Sequence, residues 1–217
     1  MTPNIKKLTR QTLLYGIMVF IICTLSYLYI DRTLILIINE KLQHTLWIKL
    51  SDILSTVFRP NNWFILSFLL ALLSIGQKIY SKTNTYCIIW VISLLIAIWF
   101  ATIIKVIVAR YRPELFLEYG LYGFHWFSHK QLFNSFPSGH VTITFAGSLA
   151  LIPYLIQHKG VNMLCILMAI IITISRVVNK QHYLSDVLAG VYIGIFSYLW
   201  AKELVFNFGK LRINHTT

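Results

Sequence analysis

Residues 83–104 read TNTYCIIWVISLLIAIWFATII, a run without a single charge that ends at Lys105. Once water is excluded, every backbone N–H and C=O must be paired within its own segment, so such a run reads as a membrane-spanning helix of about 20 residues. Five more charge-free runs lie at 11–30, 60–77, 131–158, 160–175 and 187–201. The last two are short, but each is extended by one charged residue, Arg176 after the first and Asp186 before the second. The pattern predicts an all-α, polytopic membrane protein with six transmembrane helices, roughly 12–30, 62–80, 86–108, 138–157, 161–177 and 183–201. They form a single membrane domain over 1–217, whose motif-bearing core is 86–201.

Composition agrees. The chain is 57% hydrophobic and 12% charged, whereas about a quarter of the residues of a soluble domain are charged. Lys6, Lys7 and Arg10 precede the apolar stretch Leu13 to Ile30. That stretch is longer than a secretory h-region and has no small-x-small cleavage site after it, so it reads as an anchor helix. The net charge of +12 would raise nucleic-acid binding for a soluble protein. No basic stripe with interleaved aromatics is present, and the cations lie in motifs or at helix ends near anionic headgroups. The bilayer is the implied partner; no nucleic acid and no obligate protein partner are evident. Cys23, Cys87 and Cys165 show no CxxC or metal-type spacing and read as packing residues.

Two connections stand out. Leu46, Trp47, Leu50, Ile53, Leu54, Val57 and Phe58 recur at helical spacing with Lys49 and Asp52 between them, which predicts an interfacial amphipathic helix. The 114–136 segment is rich in aromatics, the side chains favoured at headgroup level, and Gly120 and Gly123 break any long helix there.

Three short motifs end these apolar runs. In Lys105-Val-Ile-Val-Ala-Arg110-Tyr-Arg112-Pro113, Lys105 and Arg112 are seven residues apart, about two helical turns or roughly 10 Å. They are expected to project from one face, with Arg110 pointing elsewhere. An arginine fork matches phosphate oxygens and a lysine adds a compact charge. Pro137-Ser138-Gly139-His140 opens the fourth helix. There Ser138 can cap, Gly139 lets the backbone approach a ligand, and the exposed N–H groups favour an anion. His182 and Asp186, spaced i, i+4 after Ser175-Arg176, share a face, so that a carboxylate can fix the imidazole tautomer. With six spans, all of these helix ends fall on one side of the membrane. The cationic N-terminal tail favours the cytoplasm, so the site is expected on the periplasmic or extracytoplasmic face of a bacterial inner (plasma) membrane.

Together the motifs resemble the signature of the type 2 phosphatidic acid phosphatase superfamily: Lys, six residues, Arg-Pro; then Pro-Ser-Gly-His; then Ser-Arg, five residues, His, three residues, Asp. Every position is filled, and the flanking text is similar to the bacterial membrane branch. The resemblance implies a lipid phosphatase with no cofactor, acting on a membrane lipid phosphate. It implies that His182 is the nucleophile, that Asp186 orients it and that His140 protonates the leaving group. Lys105, Arg112, Ser138, Gly139 and Arg176 would hold the phosphoryl oxygens. Two histidines and an aspartate can bind zinc, but three adjacent cations would repel it, so metal independence is expected. Undecaprenyl diphosphate, phosphatidylglycerophosphate, phosphatidic acid and a lipid A phosphate all remain candidate substrates. A lipid phosphotransferase is the alternative, and a proton-coupled transporter a remote one.

Overall fold

A computed structural model describes residues 3–42, 45–57, 62–63, 65–66, 68–69, 82–153 and 159–214. Among these the chain is helical apart from one isolated β-bridge, between Arg110 and Phe124. The helices are α1 (Pro3–Leu25), α2 (Asp31–Leu42), α3 (Leu46–Val57), α4 (Lys82–Val108), α5 (Pro113–Tyr119), α6 (Gly139–Leu151), α7 (Lys159–Val178) and α8 (Leu184–Asn214). Among the described residues, four helices are long and apolar enough to cross a membrane, within Asn4–Leu42, Thr85–Val108, Gly160–Val178 and Leu184–Asn207. Helix α6 is apolar but shorter.

Several boundaries differ from expectation. The first helix does not stop at 30. A π-helical turn, Ser26–Ile30, joins α1 to α2 without a break, because Ser26 Oγ donates to Asp31 Oδ1 at 2.8 Å and so carries the charge through the helix. The expected second helix, 62–80, lies mostly outside the described residues, and so does the 154–158 end of the expected fourth helix. The 46–58 helix is present as α3, with Trp47, Leu50 and Ile53 exposed and Ser51 buried against the bundle. The aromatic segment is no plain loop, since it contains α5 and a 3-10 turn at Gln131–Phe133. Helix α5 ends where Gly120 adopts φ +70°, a conformation that costs glycine little.

Helices α4, α6 and α8 pack on one another, α1 packs on α8, and α7 packs on α3 and α6. The α6–α8 seam depends on Gly190-Val-Tyr-Ile-Gly194. A Cβ at Gly194 would lie 2.6 Å from the Thr142 carbonyl oxygen, and one at Gly190 would lie 2.9 Å from that of Ser138. Small residues at this spacing let two helix backbones touch. Here they press the start of α6 onto the start of α8, which brings the second and third motifs together. Ile35, Val141, Val177, Tyr183 and Val187 form the apolar floor where α2, α6, α7 and α8 meet. Leu13, Phe20 and many other large apolar side chains on the outer helix faces stay exposed, as lipid-facing positions do.

Candidate active site

Main-chain hydrogen bonds join the three motifs. Ser135 N–H donates to the Arg110 carbonyl at 3.0 Å, Arg112 N–H to that of Leu132 at 3.0 Å, and Ser138 N–H to that of Asp186 at 3.0 Å. All eight expected site residues converge. Arg112, His140 and Arg176 line one cleft of about 1030 Å³. Lys105, Arg112, Arg176 and His182 all lie close enough to act electrostatically on His140. The Lys105 Cε would sit 3.4 Å from a Cβ at Gly139, so the lysine lies along the glycine that opens α6.

The route to this arrangement differs from expectation in three places. Lys105 and Arg112 do not share a helix face. Helix α4 ends at Val108, Ala109 takes φ +41°, and Arg112 is extended as the N-cap of α5, with Pro113 at its first turn. A residue before proline is pushed out of the α region, so Arg112 reaches the cleft from a loop. Ser138 stands at the N-cap of α6 but makes no capping bond. Its hydroxyl is fully buried and lacks a hydrogen-bond partner among the described residues. Finally, Asp186 is not the nearest partner of His182 Nδ1. Its Oδ2 lies 3.6 Å from His182 Nδ1, whereas Nδ1 is 2.8 Å from the carbonyl oxygen of Ser135.

A carbonyl only accepts, so this bond puts the proton on Nδ1 and leaves the Nε2 lone pair to react. Burial, with Lys105 and Arg176 adding to it, pushes His182 down to about 3 against the opposing pull of Asp186. That shift favours the neutral form of the imidazole. Asp186 is completely buried. It accepts from Ser135 Oγ at 2.5 Å, from Tyr183 N–H at 2.9 Å and from Arg110 Nη1 at 2.6 Å. Ser135 thus bridges the pair, with its hydroxyl on the carboxylate and its carbonyl on the imidazole.

Cations dominate the rest. Among the described residues, Lys105, Arg112 and Arg176 have no carboxylate within 4.0 Å; the ion pairs there involve Arg110 and His182. The Nε atoms of Arg112 and Arg176 are buried without partners, and Lys105 Nζ rests on the Asn134 carbonyl at 2.8 Å. Partly buried positive charges beside an orphaned hydroxyl are costly unless an anion completes them. The arrangement can hold a tetrahedral oxyanion next to a neutral imidazole, with a second imidazole, His140, at the cleft wall.

Sequence reading missed Arg110, Asp31 and Ser135. Ser135 was within reach, two residues before the quoted Pro137-Ser138-Gly139-His140. Asp31 and Arg110 were signalled only as charges inside otherwise apolar text.

These features describe a polytopic membrane protein whose cleft gathers three cations near two histidines. The chain belongs to the PAP2 superfamily, which it matches over residues 86–210. It is 38% identical to a lipid A 1-phosphatase of Rhizobium johnstonii over 105 residues, 46% of this chain and 41% of that protein. It therefore spans about two fifths of that relative's length. It is 32% identical to an undecaprenyl-diphosphatase of Sulfolobus acidocaldarius over 54% of this chain and 53% of that one. A protein of Bacillus licheniformis named bacitracin transport permease BcrC is 27% identical over 67% of this chain and 70% of its own length. The fold is that of the transmembrane PAP2-type phosphatidylglycerophosphate phosphatase of Bacillus subtilis. The TM-score is 0.63 at 19% identity, over 89% of this chain and 94% of that one.

Proposed function

We propose that this protein is an integral membrane lipid phosphatase that hydrolyses a lipid phosphomonoester or diphosphate through a phosphohistidine. The observation that carries this reading is the set of three cations that, among the described residues, have no carboxylate partner, around a buried histidine whose Nδ1 is tied to a carbonyl and whose Nε2 is left to react. Phosphoryl transfer is mostly positioning and charge stabilisation. Lys105, Arg112 and Arg176, with Ser138 Oγ and the Gly139 N–H, hold the phosphoryl oxygens while His182 Nε2 attacks phosphorus. His140 gives a proton to the departing oxygen, then takes one from the water that releases phosphate. A relay through the His182–Asp186 pair would need Asp186 free to change its charge. Asp186 is tied to Arg110, Ser135 and Tyr183, which favours the phosphatase over the transporter. The names of the relatives support lipid A phosphates, undecaprenyl diphosphate and phosphatidylglycerophosphate as candidate substrates, beside phosphatidic acid as the generic member of the class.

The test is phosphate release from these four lipids by detergent-purified protein in excess EDTA. Turnover is expected to survive the chelator and to be inhibited by vanadate, which adopts the five-coordinate geometry of the transfer. No release from any of the four, or activity restored only by added zinc or magnesium, overturns the proposal.

We place the site on the extracytoplasmic face, with six spans and α3 at the interface, on the grounds of helix parity and the cationic N-terminal tail. In a variant with its native cysteines replaced, His129→Cys, an exposed position, should react with a membrane-impermeant thiol reagent outside spheroplasts. Ser81→Cys, between the second and third predicted helices and outside the described residues, should not. The reverse pattern would make this a cytoplasmic-face enzyme, and labelling of both would break the six-span reading.

A further inference from the structure

Asp31 lies outside the span matched to the family, 86–210, at the π-turn of a helix that the site's motifs do not include. It is completely buried and accepts four hydrogen bonds. Ser26 Oγ at 2.8 Å and Ser185 N–H at 3.1 Å reach Oδ1, while Arg110 Nη2 at 2.8 Å and Ser185 Oγ reach Oδ2. Arg110, itself 1% exposed, turns its other terminal nitrogen to Asp186 Oδ1 at 2.6 Å. Tyr183 and Tyr27 stack over the guanidinium, with ring centroids 4.2 Å and 5.0 Å away. One arginine thus spans two buried carboxylates, and the second of these lies beside His182.

We infer that Asp31 is a positioning residue for the reaction, acting through Arg110 on Asp186 and so on His182. With Asp186 alone, Arg110 would neutralise the carboxylate that faces the imidazole. With Asp31 taking up half of the fork, the buried cluster keeps one net negative charge. That charge stabilises the His182 ring as it gains positive character on bonding phosphorus, when Nδ1 keeps its proton and Nε2 carries the phosphoryl group. A bond from Ser185, the residue before Asp186, to each carboxylate oxygen of Asp31 fixes the distance between the first helix and the third motif. The π-turn explains itself in these terms. Such turns recur at functional sites, and this one presents Asp31 to Arg110 while Ser26 closes the turn onto the same carboxylate.

The inference rests on the phosphohistidine reading. Its test uses the full-length protein in detergent with para-nitrophenyl phosphate, comparing wild type, Asp31→Asn, Asp31→Glu, Arg110→Lys and His182→Ala. Because Asp31 touches no substrate, Asp31→Asn is expected to lower kcat by about 10–100-fold, the usual effect of losing a residue that orients a reacting group. KM should stay within about twofold, and Asp31→Glu should recover part of kcat by restoring the charge. A residue that merely props up the fold would lower the yield of folded protein and leave kcat per folded molecule unchanged. If Asp31→Asn does not fold, Arg110→Lys decides, since it keeps one positive charge but cannot span both carboxylates. The same kcat loss at unchanged KM is expected. Wild-type kcat in whichever variant folds, with His182→Ala inactive, overturns this inference alone. An inactive wild type or an active His182→Ala overturns the phosphohistidine reading, and this inference with it.

Discussion

Replacing His182 with alanine is expected to abolish phosphate release, a loss of about 10⁶-fold, the scale seen when an activated nucleophile is removed. The size follows from the geometry. His182 is 1% exposed at the floor of the cation cluster, and its Nδ1 is committed to the Ser135 carbonyl. On the proposed mechanism Nε2 is the nitrogen that attacks phosphorus. Water held by Lys105, Arg112 and Arg176 would still attack phosphorus, but without the two-step route. The variant should fold, since the ring makes one side-chain hydrogen bond at 2.8 Å and a second, longer contact to Asp186 at 3.6 Å. Rates measured on monodisperse protein settle the matter, and wild-type-like turnover would count against the assignment.

Asp186→Asn is expected to slow turnover by about 10³-fold, less than the roughly 10⁴-fold seen when a histidine's tautomer is lost along with its carboxylate. The difference comes from Ser135, whose carbonyl holds the Nδ1 proton whatever stands at 186. What the variant loses is the negative charge that would stabilise the developing imidazolium, and one of the two carboxylates that Arg110 spans. Burial alone would lower the Arg110 guanidinium. Asp186 and Asp31 more than reverse that, so its pKa lies above the ordinary arginine value. Breaking a buried pair outright costs about 3–5 kcal/mol, but in Asp186→Asn the arginine still has Asp31 at 2.8 Å. The folded protein is expected to persist with a lower thermal midpoint. Steady-state kinetics beside a thermal melt check both halves, and an unchanged kcat would contradict the role given to Asp186.

The site was more legible in the sequence than the path to it. Lys105, Arg112, His140, Arg176 and His182 stood out because their three motifs, each weak alone, together match one family signature. The expectation that they converge rested on helix parity over six spans. Local geometry was harder. A seven-residue spacing looks the same on one helix as across a helix stop, and only the left-handed Ala109 separates the two. The hydroxyl of Ser138 looked like a cap because serine at that position usually is one; among the described residues it has no partner instead. The carboxylate–imidazole pair was read from i, i+4 spacing. The carbonyl that takes the Nδ1 proton belongs to a residue 47 positions away, and no periodicity reports such a contact. Asp31 was missed for a related reason. It ended a charge-free run and so marked a helix end, whereas Ser26 and Arg110 let the helix continue past it.

The central claim is that phosphate passes through His182. The most direct measurement is to quench the reaction of ³²P-labelled lipid substrate with wild-type and His140→Ala protein, then locate any protein-bound phosphate by its acid lability and by peptide mapping. The account predicts an acid-labile, alkali-stable phosphate on the peptide that carries His182. It should be more abundant in His140→Ala, where hydrolysis of the intermediate lacks its base, and absent from His182→Ala. Phosphate bound to another residue, or none in either active protein under conditions of turnover, would contradict it.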